Sequence, residues 1–140
     1  MKRYLPWCLV LLISLGWILD RNASGVFANS EKTWEAFEIE DLIAKRKESK
    51  RWYLPFLKRP TLRMGLYSLP KGANDRQPAH DEDEVYYIEN GKAVLRIGDD
   101  EQPVKKGSVI FVKRDIPHRF HSIEEPLDVL VFFSSAKPNN

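Results

Sequence analysis

From Trp52 onward, apolar residues arrive in short runs of four to eight, each closed by residues that break regular structure. Runs of that length with turn chemistry between them specify strands, because a helix needs a longer amphipathic stretch to bury one face. The spacing predicts strands over Trp52–Phe56, Leu62–Leu69, Glu84–Ile88, Lys92–Ile97, Ser108–Val112, His118–His121 and Leu127–Phe133. Breaks fall at Pro70-Lys71-Gly72, Gly98-Asp99-Asp100, Lys106-Gly107 and Asp115-Ile116-Pro117. Asn90-Gly91, between Ile88 and Ala93, predicts a two-residue hairpin, since both central residues of such a turn take positive φ. Many short strands with regular turns imply an all-β sandwich or barrel. The sequence contains no internal repeat and no low-complexity tract.

Ahead of the strands, Ile39, Leu42 and Ile43 share one face of a short amphipathic helix. Glu40 and Asp41 at its start and Lys45, Arg46 and Lys47 at its end complement the helix dipole. The basic cluster from Lys45 to Arg51 reads as a solvated helix end, because acidic residues lie within the same helix.

The N-terminal stretch has a different character. Lys2 and Arg3 precede an almost uninterrupted apolar segment, Tyr4 to Leu19, and a small-residue exit follows at Val26-Phe27-Ala28. Those three parts make a secretory signal, with cleavage expected after Ala28. The apolar segment is short of the ~20 residues that a membrane span needs. An uncleaved membrane anchor is the rival reading. Removing residues 1–28 takes three basic residues (Lys2, Arg3, Arg21) and one acidic residue (Asp20), so 22 and 20 become 19 of each. A mature chain of zero net charge gives no argument for nucleic acid as a partner. The single cysteine, Cys8, leaves with the signal, so an exported domain would hold its fold by core packing, with or without a metal, rather than by disulfides.

The three histidines, His80, His118 and His121, all fall in the strand region. Strand parity puts Glu84, Tyr86 and Ile88 on one face, so Glu84 points inward if Ile88 does. An inward carboxylate is costly unless a cation, a proton or strong donors compensate it, and a divalent metal shared with imidazole nitrogens supplies that compensation. His118 begins a strand with Phe120 on its own face, whereas His121 has the opposite parity and is expected to face solvent. Asp81, Glu82 and Asp83 read as a solvated acidic loop. Tyr86, Leu95, Phe120 and part of Val129–Phe133 are expected to pack the interior. Arg63 and Tyr67 are candidates for touching a ligand, with no role assigned, because parity does not fix their face.

Gly72, then His80-Asp-Glu-Asp-Glu84-Val-Tyr-Tyr-Ile-Glu-Asn-Gly91, then Gly107-Ser-Val-Ile-Phe-Val-Lys-Arg-Asp-Ile-Pro-His118, resemble the two motifs of a small single-domain cupin, a likeness extending over Leu62 to Phe133. The resemblance implies an all-β cupin jelly-roll barrel with a short N-terminal helix and a divalent metal near the barrel mouth. Carried over to matching positions, the ligands are His80, Glu84 and His118. The first histidine of the fullest pattern is Pro78 here, and Gln77 is a nearby oxygen donor able to replace it. Lys113 and Asp115 stand where the second motif usually has proline and glycine. Two nitrogens and a carboxylate suit manganese, iron(II) or zinc with open positions.

The expected organisation is a signal over 1–28, a helical extension with the first strand over 29–61, and the barrel over 62–135. The chain is expected to be secreted or periplasmic, without membrane contact after cleavage, and to take a small-molecule ligand but no nucleic acid. Homodimerisation through sheet edges is compatible with the resemblance. An enzyme using open metal positions and a non-catalytic binding or sensing module with a structural or absent metal both remain open, because fold does not decide function.

Overall fold

The structure, a computed structural model, describes residues 33–134. The expected signal segment and its cleavage position lie outside the described residues. The chain divides into two units, Met1–Glu35 and Ala36–Asn140, and the second carries all the elements that follow.

Helix α1 spans Ile39–Ser49, with Glu40 and Asp41 in its first turn and Arg46 and Lys47 in its last. It ends where Lys50 takes the left-handed conformation, φ 55°, and donates its N–H to the Lys47 carbonyl. Leu42 is buried, while Ile39 and Ile43 are half-buried beside it, as the spacing predicts.

Eight strands follow: β1 (Tyr53–Lys58), β2 (Leu62–Leu69), β3 (Asp83–Asn90), β4 (Lys92–Ile97), β5 (Asp100–Lys105), β6 (Val109–Val112), β7 (His118–His121) and β8 (Leu127–Ser134). They form an antiparallel five-stranded sheet, β1-β2-β8-β3-β6, and an antiparallel three-stranded sheet, β5-β4-β7. Alternation fixes the inner face of each. On β8, Leu127, Val129, Val131 and Phe133 are buried and the residues between them are half-exposed. One core draws on both sheets, with Tyr86 and Ile88 from β3 packed among Leu95 of β4 and Phe120 of β7. The Tyr86 and Phe120 rings meet edge to face at 5.6 Å. The fold is therefore the expected all-β jelly-roll class, but the two sheets are not joined by ladders into a closed barrel. β6 and β7, four residues each, are edge strands of the two sheets.

Two expectations about turns and strands are corrected. Asn90-Gly91 does not close a hairpin, because β3 pairs with β6 and β8 while β4 pairs with β5 and β7. Gly91, at φ 92°, carries the chain around a corner from one sheet to the other. The two-residue hairpin is at Gly98-Asp99, where Ile97 opposes Asp100. Strand β5 was not expected, since its sequence is polar and contains Pro103. It lies at a sheet edge, where only Val104 is buried and a residue without an N–H is tolerated.

Candidate metal centre

Glu84 sits near the start of β3 with its side chain directed into the core, 1% exposed, on the face shared with Tyr86 and Ile88. His118 opens β7, where it pairs with Ile97, and is 4% exposed. His80 belongs to the connection between β2 and β3 and is half-buried. Its carbonyl accepts the Asp115 N–H at 2.7 Å, which ties this connection to the turn ahead of β7. Asp115 adopts φ 64°, a left-handed conformation that favours glycine and that aspartate tolerates. The departure from the expected glycine thus leaves the turn intact. These elements bring one ligand atom each from His80, Glu84 and His118 within 4.8 Å of one another.

The polar contacts define how the group is held. His80 Nδ1 is 2.6 Å from Glu84 Oε1, and His118 Nε2 is 3.5 Å from the same oxygen. Tyr86 donates its hydroxyl to Glu84 Oε2 at 2.6 Å and stands 2.7 Å from His118 Nε2. His118 Nδ1 lies 2.7 Å from the Ile116 carbonyl, which can only accept, so that nitrogen carries a proton. The protonated ring donates from Nε2 toward Glu84, and on deprotonation the remaining proton stays on Nδ1, so that Nε2 bears the lone pair. That is the tautomer a metal-binding histidine needs.

Burial alone would raise the Glu84 pKa, but hydrogen bonds from His118 and Tyr86, with the charges of both histidines, outweigh it and lower it. Burial likewise works against a charged His118, yet its contact with Glu84 and its bond to the Ile116 carbonyl raise its pKa. Burial and the neighbouring Glu84 carboxylate push the Tyr86 phenol strongly upward, so it stays a neutral donor. Two nitrogens and one carboxylate oxygen, converging with the correct tautomer available, fit a divalent ion.

Gln77 approaches this group without joining it directly. Its Oε1 is 3.5 Å from the Tyr86 hydroxyl, while its backbone N–H and its Nε2 donate to Asp75 at 3.0 and 3.1 Å. A carboxylate only accepts, so the amide nitrogen faces Asp75 and the amide oxygen faces the centre. Asp75, 2% exposed, also receives the Tyr67 hydroxyl at 2.6 Å and the Phe120 N–H at 2.8 Å. Sequence reading missed Asp75 because it stands in an irregular segment where parity says nothing, and it assigned Tyr86 to packing alone.

His121 is on the opposite face of β7 from His118, with Nε2 3.3 Å from Glu101, and takes no part in the centre. The acidic run is less solvated than expected. Glu82 forms a two-point ion pair with Arg63, and Asp83 accepts the Arg114 backbone N–H at 3.0 Å, while Asp81 is exposed. Both pairings arise because β2 and the turn after β6 pass beside this segment and present cations to it.

A cavity of about 270 Å³ opens against His80, with Tyr53, Arg63, Tyr67, Gln77, Val131 and Phe133 completing its wall. Arg63 and Tyr67 are on the inner face of β2, opposite Phe133 and Val129 of β8. Burial is the main influence on the Tyr53 phenol and raises its pKa, with Glu82 and Glu84 adding to the rise and Arg63 opposing it.

A protein-family model described as Cupin domain matches residues 65–133. An uncharacterized protein of Streptomyces coelicolor is 40% identical over 100 residues, covering 71% of this chain and 95% of its own length. Among solved structures, TT1209 of Thermus thermophilus superposes with a TM-score of 0.59 and 23% identity over 72% of this chain and 97% of that one. The cupin domain of Cnp3 from Schizosaccharomyces pombe gives 0.55 and 18% over 60% of this chain, which spans 64% of that chain. At these identities the two structures speak for the fold.

Proposed function

The chain belongs to the cupin domain family, and from that premise we propose that it is an exported metal-binding cupin that acts on or binds a small polar molecule. His80, Glu84 and His118 hold a divalent ion (manganese, iron(II) or zinc), and Gln77 offers an amide oxygen as a further donor. The observation that carries this reading is the convergence of the three ligand atoms within 4.8 Å, with the His118 tautomer fixed by the Ile116 carbonyl. When bound, such an ion acts as a Lewis acid toward a carbonyl or hydroxyl. The chain's own residues do the rest: Tyr86 orients Glu84 by a hydrogen bond, Ile116 orients His118, and the cavity beside His80 receives the ligand.

One observation favours a second reading, a binding module in which metal is structural or absent. Tyr86 already donates to Glu84, and both histidines lie against that carboxylate, so its burial is compensated within the protein. Metal analysis of the purified domain decides between them. One divalent ion per chain, lost in His118→Ala, is the result expected of the metal centre. A metal-free parent that takes up none of the three ions leaves the module.

Export is supported by the basic start, apolar middle and small-residue exit of residues 1–28. N-terminal sequencing of protein recovered outside the cytoplasm should begin near Asn29. Intact Met1 in a membrane fraction would establish an anchor instead.

A further inference from the structure

The wall of the cavity beside His80 divides into groups that are already engaged and groups that are not. Tyr67 gives its hydroxyl proton to Asp75, and the backbone and side-chain N–H groups of Gln77 go to the same carboxylate. Tyr53 is placed differently. Its ring lies across Gly65 so closely that a Cβ there would meet Tyr53 Cε2, Cζ and the hydroxyl oxygen at 2.2–2.4 Å. Only glycine allows this position. Tyr53 lines the cavity, and its hydroxyl makes no hydrogen bond among the described residues. Arg63 uses Nε and Nη2 on Glu82 and lays its guanidinium 4.5 Å over the Phe133 ring, which leaves Nη1 without an acceptor among the described residues.

An uncommitted phenol O–H and an uncommitted guanidinium N–H in one cavity both require acceptor oxygens. Val131 and Phe133, neighbours of Arg63 and Tyr53 on the same sheet, supply an apolar part of the wall beside them. A volume of about 270 Å³ is near the lower end of small-molecule sites, so the occupant is compact. We infer that Tyr53 and Arg63 form a carboxylate-binding subsite, so that the ligand of this cavity is a small organic acid with one apolar face, its carboxylate on Tyr53 and Arg63 and its body against Phe133 and Val131. This deepens the reading of the cavity as the ligand chamber of the metal centre and rests on that reading for its occupant, although the two contacts themselves need no metal.

The test is calorimetric titration of the full exported domain with acetate and benzoate, and with benzamide as the neutral counterpart of benzoate, each in metal-stripped and manganese-loaded protein. Benzoate is expected to bind metal-stripped parent, with benzamide at least about tenfold weaker, since a hydrogen bond to a charged group contributes roughly that much. Tyr53→Phe and Arg63→Gln should each weaken benzoate by about tenfold and benzamide, which offers one uncharged carbonyl oxygen, by less. Gly65→Ala should do the same by displacing the Tyr53 ring, and Tyr53→Phe keeps the question answerable if Gly65→Ala does not fold. Equal affinity for benzoate and benzamide, full benzoate affinity in Tyr53→Phe, or no binding of either acid to parent overturns the subsite. The metal reading is judged separately by manganese content. Tyr53-dependent benzoate binding in a protein that takes up no metal would keep the subsite and remove the metal centre, and the reverse combination would do the opposite.

Discussion

Glu84 is the residue around which the site is built, because a carboxylate 1% exposed can persist only with partners on both oxygens. His80 meets one oxygen and Tyr86 the other, and His118 lies within 3.5 Å. Replacing His118 with alanine should abolish stoichiometric metal binding. His121→Ala should retain it, because that side chain is on the far face of β7 beside Glu101. Metal content of the two purified variants checks this, and loss in His121→Ala with retention in His118→Ala would reverse the inward and outward assignment of the strand. Parity alone made the inward positions of Glu84 and His118 legible in the sequence, since each shares a face with a large apolar residue two positions on. The bond between the Tyr86 hydroxyl and His118 was not legible. It depends on how two strands of different sheets face each other across the core, and no periodicity within one strand encodes that distance. Asp75 was hidden for a related reason: its partners are 2, 8 and 45 residues away in sequence and converge only when β2 and β7 are in place.

The elements are legible in the sequence where burial alternates and poorly legible where turns choose between partners. Strands β2, β4 and β7 have the expected bounds, because apolar residues mark their inner faces and turn residues mark their ends. Asn90-Gly91 has hairpin chemistry yet serves as a corner. Local turn preference fixes the φ of Gly91 but not which strand the next one will pair with. A Cβ at Gly91 would meet the Pro126 carbonyl oxygen at 2.4 Å, and φ 92° is unfavourable for any other residue. Gly91→Ala should therefore cost about 1–3 kcal/mol by chemical denaturation, while Gly98→Ala, also at positive φ but with open space around it, should cost less. Equal losses would mean that strain in φ, and not the close approach to Pro126, governs the corner. Helix α1 offers an independent check on packing. Leu42 is its one fully buried residue, and Leu42→Asp places an unpaired charge against apolar surface, with an expected loss of ~2–4 kcal/mol. An unchanged melting temperature would show that the helix contributes nothing to the stability of the sheets.

At the scale of the whole molecule, an ion held at this centre would link metal uptake, protonation and stability, because the loop before β3, β3 itself and β7 must all be in place before the three side chains meet. The metal-free protein and the metal-bound protein should then depend on pH in opposite ways. The Glu84 pKa is lowered on folding from 4.5, so its contribution is present above that value and is lost as pH falls through the folded one. The His118 pKa is raised from 6.5, so its contribution is complete below 6.5 and is lost as pH rises through the folded value. Without metal, this pair therefore stabilises the fold most between about 4.5 and 6.5. Metal needs the unprotonated Nε2 of His118, so its contribution grows as pH rises above that window. At one hundred times the dissociation constant, it should add roughly 2.7 kcal/mol. The measurement is thermal unfolding of parent, Glu84→Gln and His118→Ala at mildly acidic and mildly alkaline pH, each with and without manganese, iron(II) or zinc. Parent alone should lose stability on alkalinisation when metal-free and recover it when metal is added. Equal metal increments in all three proteins would place the ion elsewhere. A parent whose metal-free stability does not decline above the His118 transition would show that Glu84 and His118 are not coupled in the folded state.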